Sequence, residues 1–358
     1  MRSRTILAAM RDFDSYLAAV RQAYSTGGDH RAEIFDTDDV AEPTDRELVN
    51  FLGTLLGIVG TETGKLGGAK QQTQVDARSN AIRSLMDFAN TAPVTGAFSH
   101  LTRNTVCFQL ALRVRRPKII DQDQTTLCGV VALVVDLAKR DPVRYARTAA
   151  QLFETGRSKW GNTELAPSLL VRTGFKSLTP QADYIMLASI RDTWAIIIGN
   201  ETIRDVLTLT KPGALCDFLA DAGYTDILDR TFLEMTKALS TLNALTPHSL
   251  HGQTHLPGDQ GIKSLRQAQV EIEGGRTVVM NAAVDFSRGL KNGAFTKGAA
   301  PGPIGAGETH WTLLRKLTIQ NNGDVFVRLI TWGGAREATI PQDVFLSYYC
   351  GYVSANPC

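Results

Sequence analysis

DQDQTTLCGVVALVVDLAKR, residues 121–140, sets a cysteine at the junction between a polar segment and a run of aliphatic residues. The polar stretch ends at Cys128, Gly129 follows, and the apolar run then reads as a buried helix. A cysteine in such a place has two readings. It is a small hydrophobe of the core, or it is a nucleophile held at a helix start. A thiol attacks only as thiolate, and an ordinary cysteine, with a pKa of about 8.5, is mostly protonated at neutral pH. A helix N-terminus stabilises the anion, and a neighbouring histidine takes the proton. Gly129 lets a substrate approach the backbone closely.

Working outward, the first hundred residues read as helices. Ile6, Met10, Phe13, Leu17, Val20 and Tyr24 recur at helical spacing on one face. A second helical run spans 45–59, closed by Gly60, and the glycine-rich stretch 60–74 reads as a linker. Its GTETGK lacks the full GxxxxGK[ST] pattern of a phosphate loop. VCFQLALRV (106–114) reads as a strand, and the basic cluster at 113–118 as a solvated face or linker. Asp141 and Pro142 supply an N-cap and a first-turn proline for a helix that runs to about Glu154. More helical material is expected between 180 and 245, then a loop rich in Gly, His, Pro and Gln from about 246 to 262.

The last quarter carries the strands. VEIEGGRTVVM (270–280) reads as a hairpin turning at its GlyGly pair, and residues 310–334 as a longer hairpin turning at Asn322-Gly323. Helices first and strands last argue for α+β rather than a doubly wound parallel sheet.

Bulk composition narrows the function classes. In 358 residues, 43% are hydrophobic and 21% charged, as in an ordinary folded protein. A net charge of +2 gives no electrostatic case for nucleic acid. No apolar run reaches the roughly 20 residues of a membrane span. The N-terminus shows no signal-peptide core, so synthesis and folding in the cytoplasm are expected. Five widely spaced cysteines with no CxxC pair argue against a disulfide framework or a structural zinc site. His248, His251 and His255 form HxxHxxxH in a loop without the HExxH frame, and Asp259 and Gln260 beside them read as loop surface. No cofactor is expected. Trp160, Tyr348 and Tyr349 read as core aromatics.

An acyl-transfer site also needs donors aimed at the developing oxyanion, and Gln122, six residues before Cys128, carries one. Among the six histidines only His310 opens a strand, with Trp311 behind it. Gln122, Cys128-Gly129, His310-Trp311 and Trp332-Gly333 together resemble the papain-like cysteine peptidases, especially the bacterial branch that trims leader peptides from exported bacteriocins. The resemblance implies a helical half carrying the cysteine and an antiparallel β half carrying the histidine. It implies Gln122 in an oxyanion hole with the Cys128 backbone N–H. The family's ring-orienting Asn is absent, since Ile330 stands in its place. With a two-residue turn at 322–323, residues 331, 333 and 337 share the face of His310, so Thr331, Glu337 or a main-chain carbonyl would hold the ring.

These readings divide the chain into a helical N-terminal region, 1–104, and a catalytic domain, 105–358, with an insertion at about 180–300. The N-terminal region would be accessory, targeting or regulatory. The function implied is a cysteine-dependent peptidase, amidase or deamidase acting on protein or peptide. A bacterial effector or toxin exported by a specialised secretion system fits this, with secretion machinery, a chaperone or an immunity protein as partners. The alternative is a non-catalytic helical adaptor on a degenerate papain-like fold.

Overall fold

The computed structural model of the protein describes residues 42–62, 69–121, 128–173, 179–198, 212–231, 258–283, 286, 289–290, 295, 309–331 and 334–357. The helix expected at 6–24, Gln122, His248, His251, His255, Trp332 and Gly333 lie outside them. The chain forms two compact units from interleaved segments: residues 1–124, 134–159 and 164–193 in the first, 125–133, 160–163 and 194–358 in the second.

The first unit is helical. Helix α1 (Asp45–Glu62) opens with a reciprocal cap in which Thr44 N–H donates to Glu47 Oε2 at 2.7 Å and Glu47 N–H to Thr44 Oγ1 at 3.4 Å. Leu48, Phe51, Leu52, Leu55 and Val59 then fall on one buried face. Helix α2 (Ala69–Thr91) follows, so residues 60–62 and 69–74 of the expected linker are helical instead.

The stretch read as a strand at 106–114 is instead the body of helix α3 (Arg103–Arg115). All of its residues from Val106 to Val114 are buried, so it shows no amphipathic period, and a short apolar run without one is ambiguous. The basic cluster is not a solvated face either. Arg113 is buried, and its Nε and Nη2 donate to Asp183 Oδ1 and Oδ2 at 2.8 and 2.7 Å. Asp183 Oδ2 also accepts the Asp121 N–H at 3.0 Å.

Helix α4 (Cys128–Arg140) starts at the cysteine. Helix α5 (Pro142–Thr155) follows, capped by Asp141, whose side chain accepts the Arg144 N–H at 2.9 Å. Strands β1 (Ser158–Trp160) and β2 (Thr163–Leu165) make a two-stranded ribbon, followed by helices α6 (Leu169–Thr173) and α7 (Gln181–Ile198).

The second unit is built on an antiparallel sheet. Helix α8 (Pro212–Asp221) and strand β3 (Thr225–Asp229) precede helix α9 (Gly258–Glu273) and strands β4 (Thr277–Ala283), β5 (Thr309–Ile319), β6 (Val325–Thr331) and β7 (Gly334–Ile340). Helix α10 (Gln342–Tyr348) and strand β8 (Tyr349–Asn356) end the chain's described part, and the strand order is β3-β8-β4-β5-β6-β7. One face packs Val278, Met280, Leu314, Val327 and Leu329 against Leu265 and Ala268 of α9, with Phe345 and Tyr348 of α10 in the same cluster. The fold class is α+β.

Residues 270–280 are not a hairpin. They hold the end of α9 and the start of β4, and the GlyGly pair caps the helix. Gly274 N–H donates to Val270 O at 2.8 Å and Arg276 N–H to Glu271 O at 3.0 Å, with Gly275 at φ +84°. The loop expected to reach 262 likewise gives way to α9 at Gly258, which carries the exposed Asp259 and Gln260 in its first turn. Trp160, Tyr348 and Tyr349 are core aromatics: Trp160 Nε1 donates to Phe218 O at 3.1 Å, and Tyr349 Oη lies 2.9 Å from Ser264 Oγ.

The hairpin β5–β6 was expected to turn in two residues and turns in three. Gln320 N–H donates to Asp324 O at 2.8 Å and Gly323 N–H to Gln320 O at 2.9 Å, with Gly323 at φ +89°. The ladder runs regularly from Ile319↔Val325 to Lys316↔Arg328, then shifts to Leu314↔Leu329 and Leu313↔Ile330. Arg315 is the extra residue of a β-bulge. Either departure alone would turn Thr331 away from the face of His310. Together they compensate.

Candidate functional site

Cys128 and His310 belong to the same unit. The thiol is the first residue of α4 and is 3% exposed. The first N–H groups of a helix have no partner within it. Here the N–H groups of Cys128 and Gly129 point at the sulfur together with that of Trp311, and all three favour its anion. Burial outweighs them and pushes the thiol up to about 11. Trp311 is the residue after His310, so the sulfur sits one peptide bond from the histidine backbone.

His310 is the second residue of β5, across from Ala282, and is 4% exposed. Burial pushes its imidazole down to about 4. At neutral pH the resting site therefore holds a thiol and a neutral ring. His310 Nε2 lies 2.6 Å from Thr331 Oγ1. The contact is diagonal across β5 and β6, a separation that a ring can span.

Glu337 does not reach His310. It pairs across the ladder with Arg328, and Arg328 Nε donates to Glu337 Oε1 at 2.5 Å on the outer face of the sheet, where both are half exposed. The assumed two-residue turn at 322–323 set Glu337 on the face of His310, but β7 is a separate strand whose register puts Glu337 opposite Arg328. Ile330, across from Leu313, is on the face away from Thr331.

Two groups escaped the sequence reading. The Trp311 N–H is a main-chain donor and carries no side-chain signal. Thr312 lies beside the His310–Thr331 contact and is recognised only through the bulged register.

Cys107, Cys128, Cys216 and Cys350 all carry thiols outside any disulfide. Among the described residues no group of His, Cys, Asp and Glu is placed to hold a metal ion. None of the described helices is long and apolar enough to cross a membrane. No family model, no curated protein and no solved structure matches the chain.

Proposed function

We propose that the protein is a cysteine-dependent hydrolase with a papain-like arrangement, a peptidase, amidase or deamidase. One observation carries this: the Cys128 sulfur meets the Trp311 N–H, adjoining a histidine whose Nε2 contacts Thr331. In the reaction, His310 Nδ1 takes the thiol proton while sulfur bonds to the substrate carbonyl carbon. The helix-start N–H groups, with Gln122 by resemblance, receive the oxyanion. The protonated ring then gives its proton to the leaving amine, and water releases the acyl group from sulfur. Protein or peptide is the substrate class, and export as an effector or toxin remains part of this reading.

A second reading, a non-catalytic adaptor, is favoured by the depth of burial, which keeps both groups neutral at rest. A peptidyl vinyl sulfone separates the two. The hydrolase is labelled at Cys128, and His310→Gln slows labelling on the order of 10²-fold. Equal labelling of both forms, or none at Cys128, favours the adaptor.

A further inference from the structure

The bulged register brings a third side chain to the His310–Thr331 contact. Leu313 pairs with Ile330, so the next pair along the ladder sets Thr312 directly across from Thr331. His310 precedes Thr312 by two residues on the same strand, so all three side chains share one face. Thr312 is fully buried, and its hydroxyl has no hydrogen-bond partner among the described residues. A desolvated, unpaired hydroxyl is costly to keep.

The contact between Nε2 and Thr331 Oγ1 can form in two ways. The ring N–H donates to the hydroxyl oxygen, or the hydroxyl donates to a bare Nε2. A neutral imidazole carries one proton, so these alternatives put it on different nitrogens. Only the first leaves Nδ1 with the lone pair that a general base needs. A threonine hydroxyl has one proton to give, and its direction decides the matter.

Resting on the Cys–His reading above, we propose that Thr312 is a positioning residue that sets the His310 tautomer. Its Oγ1 accepts the Thr331 hydroxyl proton, and Thr331 is thereby left to accept from Nε2–H. Directly opposed residues have Cβ atoms about 4.5–5.5 Å apart. A side-chain rotation brings the two hydroxyls into contact. The buried threonine pair then selects the protonation state of a histidine that burial keeps neutral.

The test uses the full chain labelled with ¹⁵N-histidine, the His310 signals being assigned with His310→Gln. At pH 7 the wild type shows a bare Nδ1 and a protonated Nε2. Thr312→Val mixes the tautomers and slows alkylation of Cys128 about tenfold, the scale of one hydrogen bond. Thr312→Ser restores both. A wild-type His310 protonated on Nδ1, an unchanged spectrum in Thr312→Val, or no rescue by Ser overturns the inference. The wild-type spectrum decides even if the Val variant fails to fold. Cys128 alkylation that is indifferent to His310→Gln overturns the underlying Cys–His reading instead.

Discussion

The Cys128 sulfur receives the peptide N–H of Trp311, the residue that follows His310. A helix start and a strand start thus meet at one peptide group. The sulfur is embedded among donors, yet burial holds its proton on at neutral pH. On the Cys–His reading proposed above, His310 takes that proton. Iodoacetamide should therefore react with native Cys128 slowly near pH 7, with a rate that climbs with pH. In His310→Gln the neutral-pH rate should fall about 10- to 100-fold while the rate near pH 11 stays. Mass-spectrometric counting of modified Cys128 over time measures this, and a pH-independent rate would contradict it.

Thr331 and Glu337 should separate cleanly. Thr331→Val removes the oxygen that meets the buried Nε2, at a cost of about 1–3 kcal/mol in stability. Vinyl sulfone labelling of Cys128 should drop about tenfold or more with it. Glu337→Gln loosens only an outer-face pair with Arg328, and labelling should stay within about twofold. An effect of Glu337→Gln as large as that of Thr331→Val would contradict the register.

Buried, neutral His310 links folding to pH. Its folded pKa, about 4, lies below the ordinary histidine value of 6.5, so the unfolded chain binds the proton first as pH falls. The stabilisation is complete above pH 6.5 and is lost as pH falls through 4, amounting to roughly 3 kcal/mol. Cys128 acts at the other end. Its pKa is raised from 9.0 to about 11, so its contribution is complete below pH 9 and is lost as pH rises through 11. Urea unfolding from pH 4 to 7 should show a smaller acid loss in His310→Gln than in the wild type. Parallel profiles would sink the assignment.

The first unit offers a stability test of its own. Asp183 accepts two bonds from buried Arg113 and a third from the Asp121 N–H. Asp183→Asn leaves a guanidinium buried without its counter-charge and should cost about 3–5 kcal/mol. Thermal unfolding followed by circular dichroism should show a large drop in Tm. A loss below about 1 kcal/mol would mean that water replaces the carboxylate.

Local chemistry made part of this architecture legible. Asp141-Pro142 and Gly156 mark the ends of a helix by capping alone, and alternation in β6 announces a strand with one buried face. Cys128 reads as a helix start for the same reason. Helix α3 was hidden because burial on all sides erases the helical period. Gly274-Gly275 misled because paired glycines serve hairpin turns and helix caps equally well. The partner of Arg113 is Asp183, seventy residues along the chain, and nothing local signals such a pair. Thr331 was named on an idealised ladder, and the residue survived two errors in that ladder whose offsets cancel.

Those offsets bear on how the hairpin can vary in length. His310 and Thr331 are 21 positions apart, and β5 spends one of the intervening residues outside the ladder. Deleting Arg315 would leave every β5–β6 pair described above intact and restore strict alternation. Inserting a residue within β6 has no such slack and would turn Thr331 toward the opposite face. Length changes in this hairpin are therefore asymmetric: one codon can be lost from β5 without separating the histidine from its threonine, while one gained in β6 separates them. A pair conserved in space can in this way drift in spacing, and a search for it by fixed sequence separation would pass over chains that keep it.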